Sequence, residues 1–306
     1  MLENFLTVGT QVLILFILMG LGALGNRSGL IKAEAIPGIT NLVLYFVTPC
    51  VIINSFQRKA TPELIHGLLI TALVAFLIHL ISIIVVNLIL REKDEAKEKV
   101  LKFSAIFSNC GFMSLPIQDA LLGSIGVFYG SVFVAVFNVF VWTYGLVMMS
   151  GDRKAIRLKT IVFNPGIMGT VIGTMIFALS IKLPSLIAVP VEYMAALNTP
   201  LPMIIIGYYL GNLRLEHLKS NLKQYYAIFI RLVLLPCITV LGLRLCHVDT
   251  VVAIVCTLAS SAPTAAITAM FATRFKRDAQ LGAQIVSLST LFSLITIPLM
   301  VALVQI

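Results

Sequence analysis

The sequence predicts an all-α polytopic membrane protein, with ten transmembrane helices arranged as two inverted five-helix repeats. Three observations predict it. Long apolar runs follow one another along almost the whole chain. The basic residues fall into alternate loops between those runs. Proline-bearing interruptions recur at corresponding places in the two halves, a pattern typical of transporters that bind substrate near the bilayer midplane.

Only 11% of the 306 residues are charged and 59% are hydrophobic, where a soluble domain carries about 25% charged residues. The net charge of +9 does not point to nucleic acid, because the Lys and Arg residues sit in short loops between apolar runs. The five cysteines, Cys50, Cys110, Cys237, Cys246 and Cys256, all lie inside apolar segments. None has a CxxC or Cys/His spacing, so they read as small buried hydrophobes rather than disulfide or metal ligands. No glycine loop for phosphate, zinc motif or catalytic dyad occurs. No enzyme activity and no cofactor are expected, and the chain has no room for a soluble nucleotide domain.

About 20 apolar residues cross the hydrocarbon core. On that ruler the segments are 5–25, 36–56, 64–90, 101–122, 125–149, 164–182, 186–211, 223–245, 249–273 and 279–304. The N-terminus, Met1-Leu2-Glu3-Asn4, lacks the basic start of a signal peptide, so the first run reads as a membrane helix. Loops after the odd-numbered segments hold 17 Lys and Arg, and the opposite side holds 4: Arg58, Lys59, Lys182 and Arg244. The odd loops are therefore expected in the cytoplasm, with both termini outside.

Ten segments divide into halves at 1–150 and 151–306, and an odd number per half inverts the second. Thr48-Pro49 and Thr199-Pro200 lie 151 positions apart, as do Asn138 and Ser289, while Pro116 and Pro263 lie 147 apart. The central stretch is Asn109-Cys110-Gly111-Phe112-Met113-Ser114-Leu115-Pro116, matched later by Ser260-Ser261-Ala262-Pro263-Thr264. Pro116 removes a donor and Gly111 loosens the backbone, so the fourth segment is expected to break there. Asn109 and Ser114 supply substitute partners.

Several of these motifs together, Asn41-Leu42-Val43-Leu44-Tyr45…Thr48-Pro49, Asn109-Cys110-Gly111-Phe112…Leu115-Pro116, Asn164-Pro165, Pro200, Arg231…Pro236 and Ala262-Pro263, resemble the auxin efflux carrier family along essentially the whole chain. The resemblance implies ten helices, with the fourth and ninth broken and crossing at prolines. It also implies a scaffold of segments 1, 2, 6 and 7, and a transport part of segments 3–5 and 8–10. Substrates implied are organic anions such as auxin or small dicarboxylates. Plant members often carry a long central loop; here 150–163 is short, which suggests a compact bacterial-type member.

At each break the downstream half-helix presents unpaired N–H groups with a partial charge near +0.5. Two such ends meeting at the midplane would form an anion site, with Asn109, Gly111, Ser114, Pro116, Ser261, Pro263 and Thr264 around it. The plainer alternative is two ordinary proline kinks. Thr48 and Thr199 are either a facing wall of the site or satisfied threonines at kinks. Asn138, one turn from Trp142, either meets a carboxylate or bonds a neighbouring helix. Gln284, Ser287 and Thr290 read as ordinary glue between helices. Arg231, about 12 Å into the eighth segment, is expected to snorkel to the cytoplasmic interface, the alternative being a clamp on the anion. Asp119 is either a proton-coupling group or a solvated outer residue, and His79 reads as a bonded structural histidine.

The expected function is a secondary carrier of a small organic anion, auxin-like or a mono- or dicarboxylate, working by alternating access in the cell (plasma) membrane. An anion channel and a ligand sensor without flux are the alternatives. The partners expected are the substrate and the lipid bilayer, with no nucleic acid; homodimerisation is left open.

Overall fold

The computed structural model describes residues 2–152, 154, 163–212 and 222–304. Its regular structure is helical throughout: α1 (Leu2–Arg27), α2 (Ala35–Ser55), α3 (Pro62–Ile89), α4 (Glu95–Ile106), α5 (110–122), α6 (Ser124–Ser150), α7 (Pro165–Ala178), α8 (Ser185–Ala196), α9 (Pro200–Gly211), α10 (Leu222–Leu245), α11 (Thr250–Ser261), α12 (Ile267–Arg274) and α13 (Ala279–Val304). Among the described residues, seven helical stretches are long and apolar enough to cross a membrane: α1, α2, α3, α6, α8 with α9, α10 and α13. The fourth and ninth expected segments each form two short helices, and the sixth is the 14-residue α7.

Local chemistry sets the starts. Thr61 accepts from Leu64 N ahead of Pro62 in α3, and Asp94 accepts from Ala96 N at 2.9 Å to open α4. Asn164 and Asp249 cap α7 and α11 in the same way. Prolines within spans are absorbed differently. Five-residue π-turns, Val43–Val47, Cys110–Ser114 and Ile230–Leu234, end two residues before Pro49, Pro116 and Pro236. The wider turn relieves the clash of the ring with the preceding backbone.

On α3 burial is inverted relative to a helix of a soluble bundle. In α3 the buried stripe is small or polar (Gly67, Thr71, Ala75, His79, Ser82), whereas Leu69, Leu73, Phe76, Leu77 and Leu80 are exposed. Small residues let membrane helices approach, and large apolar ones face lipid. The closest approach is between α1 and α9. A side chain at Gly207 would run into the Met19 carbonyl, and one at Gly22 into that of Ile204. His79 accepts the structural reading: its Nδ1 pairs with Ala75 O at 2.7 Å, and its ring stacks on Phe140 at 5.1 Å.

Candidate functional site

The chain unwinds twice, at 107–109 between α4 and α5 and at 262–266 between α11 and α12. The two unwound stretches pair antiparallel. Asn109 N donates to Pro263 O at 2.6 Å and Ala265 N to Phe107 O at 2.9 Å, with Ser108 opposite Thr264. Each supplies the backbone partners that hydrocarbon cannot offer the other. Thr264 fixes the node further, through its N–H to Ser289 Oγ at 3.1 Å and its Oγ1 to Ser104 O at 3.0 Å.

This geometry corrects the expected break. It lies at Phe107–Asn109, seven residues or more before Pro116, which sits in the first turn of the helical run Leu115–Leu122. The π-turn directly before it takes up both the missing donor and the strain of the ring. Pro263 does lie in the unwound stretch. Thr199 falls in the short gap between α8 and α9, while Thr48 stays in helix, its Oγ1 donating to Val43 O at 3.0 Å.

Arg231 is a second correction. It does not snorkel: only 2% of it is exposed. Its Nη1 donates to Ala105 O (3.2 Å) and Ile106 O (2.8 Å), and its Nη2 to Ser260 O. These are the last carbonyls of α4 and α11, so one guanidinium caps the carboxyl ends of both broken helices. Burial makes such carbonyls strong acceptors, and this offsets the outward pull of water on the charge.

The amino ends of the downstream halves face elsewhere. Ser108, Asn109, Gly111 and Phe112 from one side, and Ala265, Ala266 and Ile267 from the other, line a cavity of about 390 Å³. Its remaining wall brings Asn41, Leu44, Tyr45 and Thr48 of α2 and Asn164, Pro165 and Gly166 of α7 against Phe137, Asn138 and Trp142 of α6. Arg274, at the end of α12, stands at the same cavity, which holds no Asp or Glu among its described lining residues. Asn109 is 5% exposed and its Nδ2 has no partner. Asn138 donates to Val134 O at 2.9 Å, and a side chain at Gly166 would come within 2.6 Å of it.

A second cavity, about 240 Å³, lies farther along the seam that α6 makes with α2, between α2 and α8 on one side and α5 and α6 on the other. Asp119, Pro116 and Thr199 line it with Asn54, Ser124, Glu192 and Asn198. Thus Thr48, Asn109, Gly111 and Asn138 share one cavity, and Pro116, Asp119 and Thr199 share another. Ser114, Ser261, Pro263 and Thr264 line neither: Ser114 Oγ accepts from Gln118 Nε2 at 2.8 Å, and the other three are buried in the node.

Beside the second cavity, aromatic rings pack α2 and α7 against α6. Phe56 of the α2 end meets Phe128 of α6 at 4.7 Å, and both meet Phe177 of α7. Arg58 bridges across, its Nη2 to Ser124 Oγ at 3.0 Å and its guanidinium 4.8 Å from the Phe128 ring. Burial pushes that guanidinium below its ordinary pKa, yet arginine keeps its charge near neutrality.

A family model described as membrane transport protein matches residues 7–301. The chain belongs to the membrane transport protein family. This is the auxin efflux carrier family that the sequence motifs indicate, a family of membrane transporters and not of enzymes. Two relatives match nearly end to end. An uncharacterized transporter of Methanocaldococcus jannaschii is 25% identical over 94% of this chain and 96% of its own length. An uncharacterized transporter of Methanothermobacter thermautotrophicus is 27% identical over 97% and 96% respectively. The chain is accordingly a multi-pass membrane protein of a transporter family.

For this membrane transport protein, sequence reasoning missed Arg274, Ser108 and Asn164 at the cavity. Asn164 carried a signal, since Asn before Pro is a helix cap and its Oδ1 accepts from Gly166 N and Ile167 N. Arg274 was counted only as a loop charge. Arg153, and most of the basic loop that holds it, lie outside the described residues.

Proposed function

We propose that this protein is a secondary carrier that moves a small organic anion, auxin-like or a mono- or dicarboxylate, by alternating access. One observation carries the reading. A largely apolar cavity, whose described lining holds no carboxylate, receives the amino ends of two broken helices. Such ends favour anions without a buried formal cation. Apolar side chains such as Leu44, Val134, Phe137 and Met270 suit the organic remainder.

On this reading α4 with α5 is the fourth membrane span, α7 the sixth, α8 with α9 the seventh and α11 with α12 the ninth. Ten spans then form inverted repeats at 1–150 and 151–306. The basic-loop bias places the Arg274 end of the cavity toward the cytoplasm of the cell membrane, and both termini outside. Aromatic packing of α2 and α7 on α6 beside the second cavity favours a carrier over a continuous pore.

Counterflow in liposomes tests the function: preloaded unlabelled carboxylate should drive saturable uptake of its labelled form. Unitary conductance would make the protein a channel, and binding without flux a sensor. Orientation has its own test. Lys97→Cys should resist an impermeant thiol reagent applied outside intact cells, and its modification would invert the topology.

A further inference from the structure

We propose that Arg231 is a positioning residue that sets the electrostatic potential of the cavity without touching what binds there. It is a buried cation, and no carboxylate pairs with it among the described ion pairs. Its counter-charge is backbone. The carboxyl ends of α4 and α11 each carry a partial charge of about −0.5, so two of them offset one guanidinium. Both helices have 12 residues, long enough to develop such ends.

The consequence lies on the other side of the node. The amino ends that line the cavity begin only a few residues beyond those carbonyls. With the negative ends neutralised, the positive ends act on the cavity unopposed. The contacts trace the path: Arg231 holds Ile106 O at 2.8 Å, and the next carbonyl, Phe107 O, accepts from Ala265 N beside Ala266 at the cavity wall. Two residues of chain keep the guanidinium within about 10 Å of that wall. Asn109 lines the same wall, its own Nδ2 buried and without a partner among the described residues. Lysine would supply the charge, but only a planar fork spans acceptors from two separate helices. For its meaning in transport the inference rests on the anion reading; its test uses no substrate.

The test is a charge-selective labelling ratio. Ala266→Cys is introduced in the full chain, with Cys50, Cys237 and Cys246 replaced by serine. Its modification rates are measured with 2-sulfonatoethyl methanethiosulfonate and with 2-(trimethylammonium)ethyl methanethiosulfonate. The anionic-to-cationic ratio cancels thiol ionisation and gross access, which a merely structural role would change for both reagents alike. Arg231→Gln, which keeps an amide donor, should lower the ratio at least about fourfold. That is the bulk-water limit for a unit charge about 10 Å from probes differing by two charges. Arg231→Lys should keep it within about twofold. An unchanged ratio in a folded Arg231→Gln protein overturns the proposal. So does an equal fall in Arg231→Lys, because geometry rather than charge would then be at work. Arg231→Met is the second neutral variant; if neither neutral protein folds while Arg231→Lys does, the residue belongs to stability alone and the proposal falls. A protein that carries no anion would still give the expected ratios, so the two readings fail separately.

Discussion

Replacing Arg58 by alanine should loosen the packing of α2 on α6. Two of its contacts cross from the α2 loop to α6: the 3.0 Å bond to Ser124 Oγ and the face of Phe128 at 4.8 Å. A third, Nε to Ser55 O at 3.0 Å, stays on its own side and survives opening. Arg58 is only half-buried, so the crossing bond contributes about 0.5–1 kcal/mol and the cation–π contact about the same. Together they favour closure by about 1–2 kcal/mol, a shift of about five- to thirtyfold in the closed-to-open ratio. Ser131 reports that ratio, being fully buried in the seam with its Oγ 3.4 Å from Ser55 Oγ. In liposomes, Ser131→Cys should react with an impermeant maleimide in proportion to the open population. Adding Arg58→Ala should raise that rate five- to thirtyfold by the same reckoning, and Arg58→Lys by less. Equal rates with and without Arg58 would refute the assignment.

Two further outcomes follow from packing and charge. Gly207→Val forces a side chain onto the Met19 carbonyl, so it should destabilise by about 1–3 kcal/mol. Gly20→Ala, where nothing lies within 4 Å, should be neutral or stabilising; equal melting of the two variants contradicts the α1–α9 contact. At the loop after α3, Lys223 beside Glu92 (3.1 Å) holds its carboxyl below the ordinary carboxylate range. A depressed folded pKa gives stability that is complete above the unfolded value, about 4.3, and is lost as pH falls through the folded one. Melting curves of wild type and Glu92→Gln should therefore differ at pH 7 and converge toward pH 3; a constant gap argues against the pair.

Spans were legible because hydrocarbon demands long apolar runs, and α1, α3 and α13 fall close to where hydropathy puts them. The node was legible as a place but not as a geometry. Proline marks a missing donor, yet whether the chain breaks or merely widens depends on what stands opposite. At Pro116 a π-turn sufficed, whereas at Phe107–Asn109 the partner lay some 155 residues away. Arg231 failed for the same reason: its depth could be read from spacing, but its acceptors come from two other helices. Thr48, Asn109 and Asn138 were singled out as polar groups in apolar runs, and Gly111 as a point where the backbone loosens; all four line the larger cavity. Arg274 hid among loop charges that topology already explained.

The two-rung pairing at the node has a consequence for how the protein is made. When the ribosome has delivered only the residues up to about 150, Asn109 N–H and Phe107 C=O are without their partners, and Ala105 and Ile106 lack Arg231. That half is therefore an incomplete lodger in the membrane. It must wait for α10 and then the stretch after α11, emerging more than a hundred residues later, before its backbone is satisfied. A chain truncated near residue 150 should be a substrate for membrane quality control, and co-expression of the missing half should rescue it.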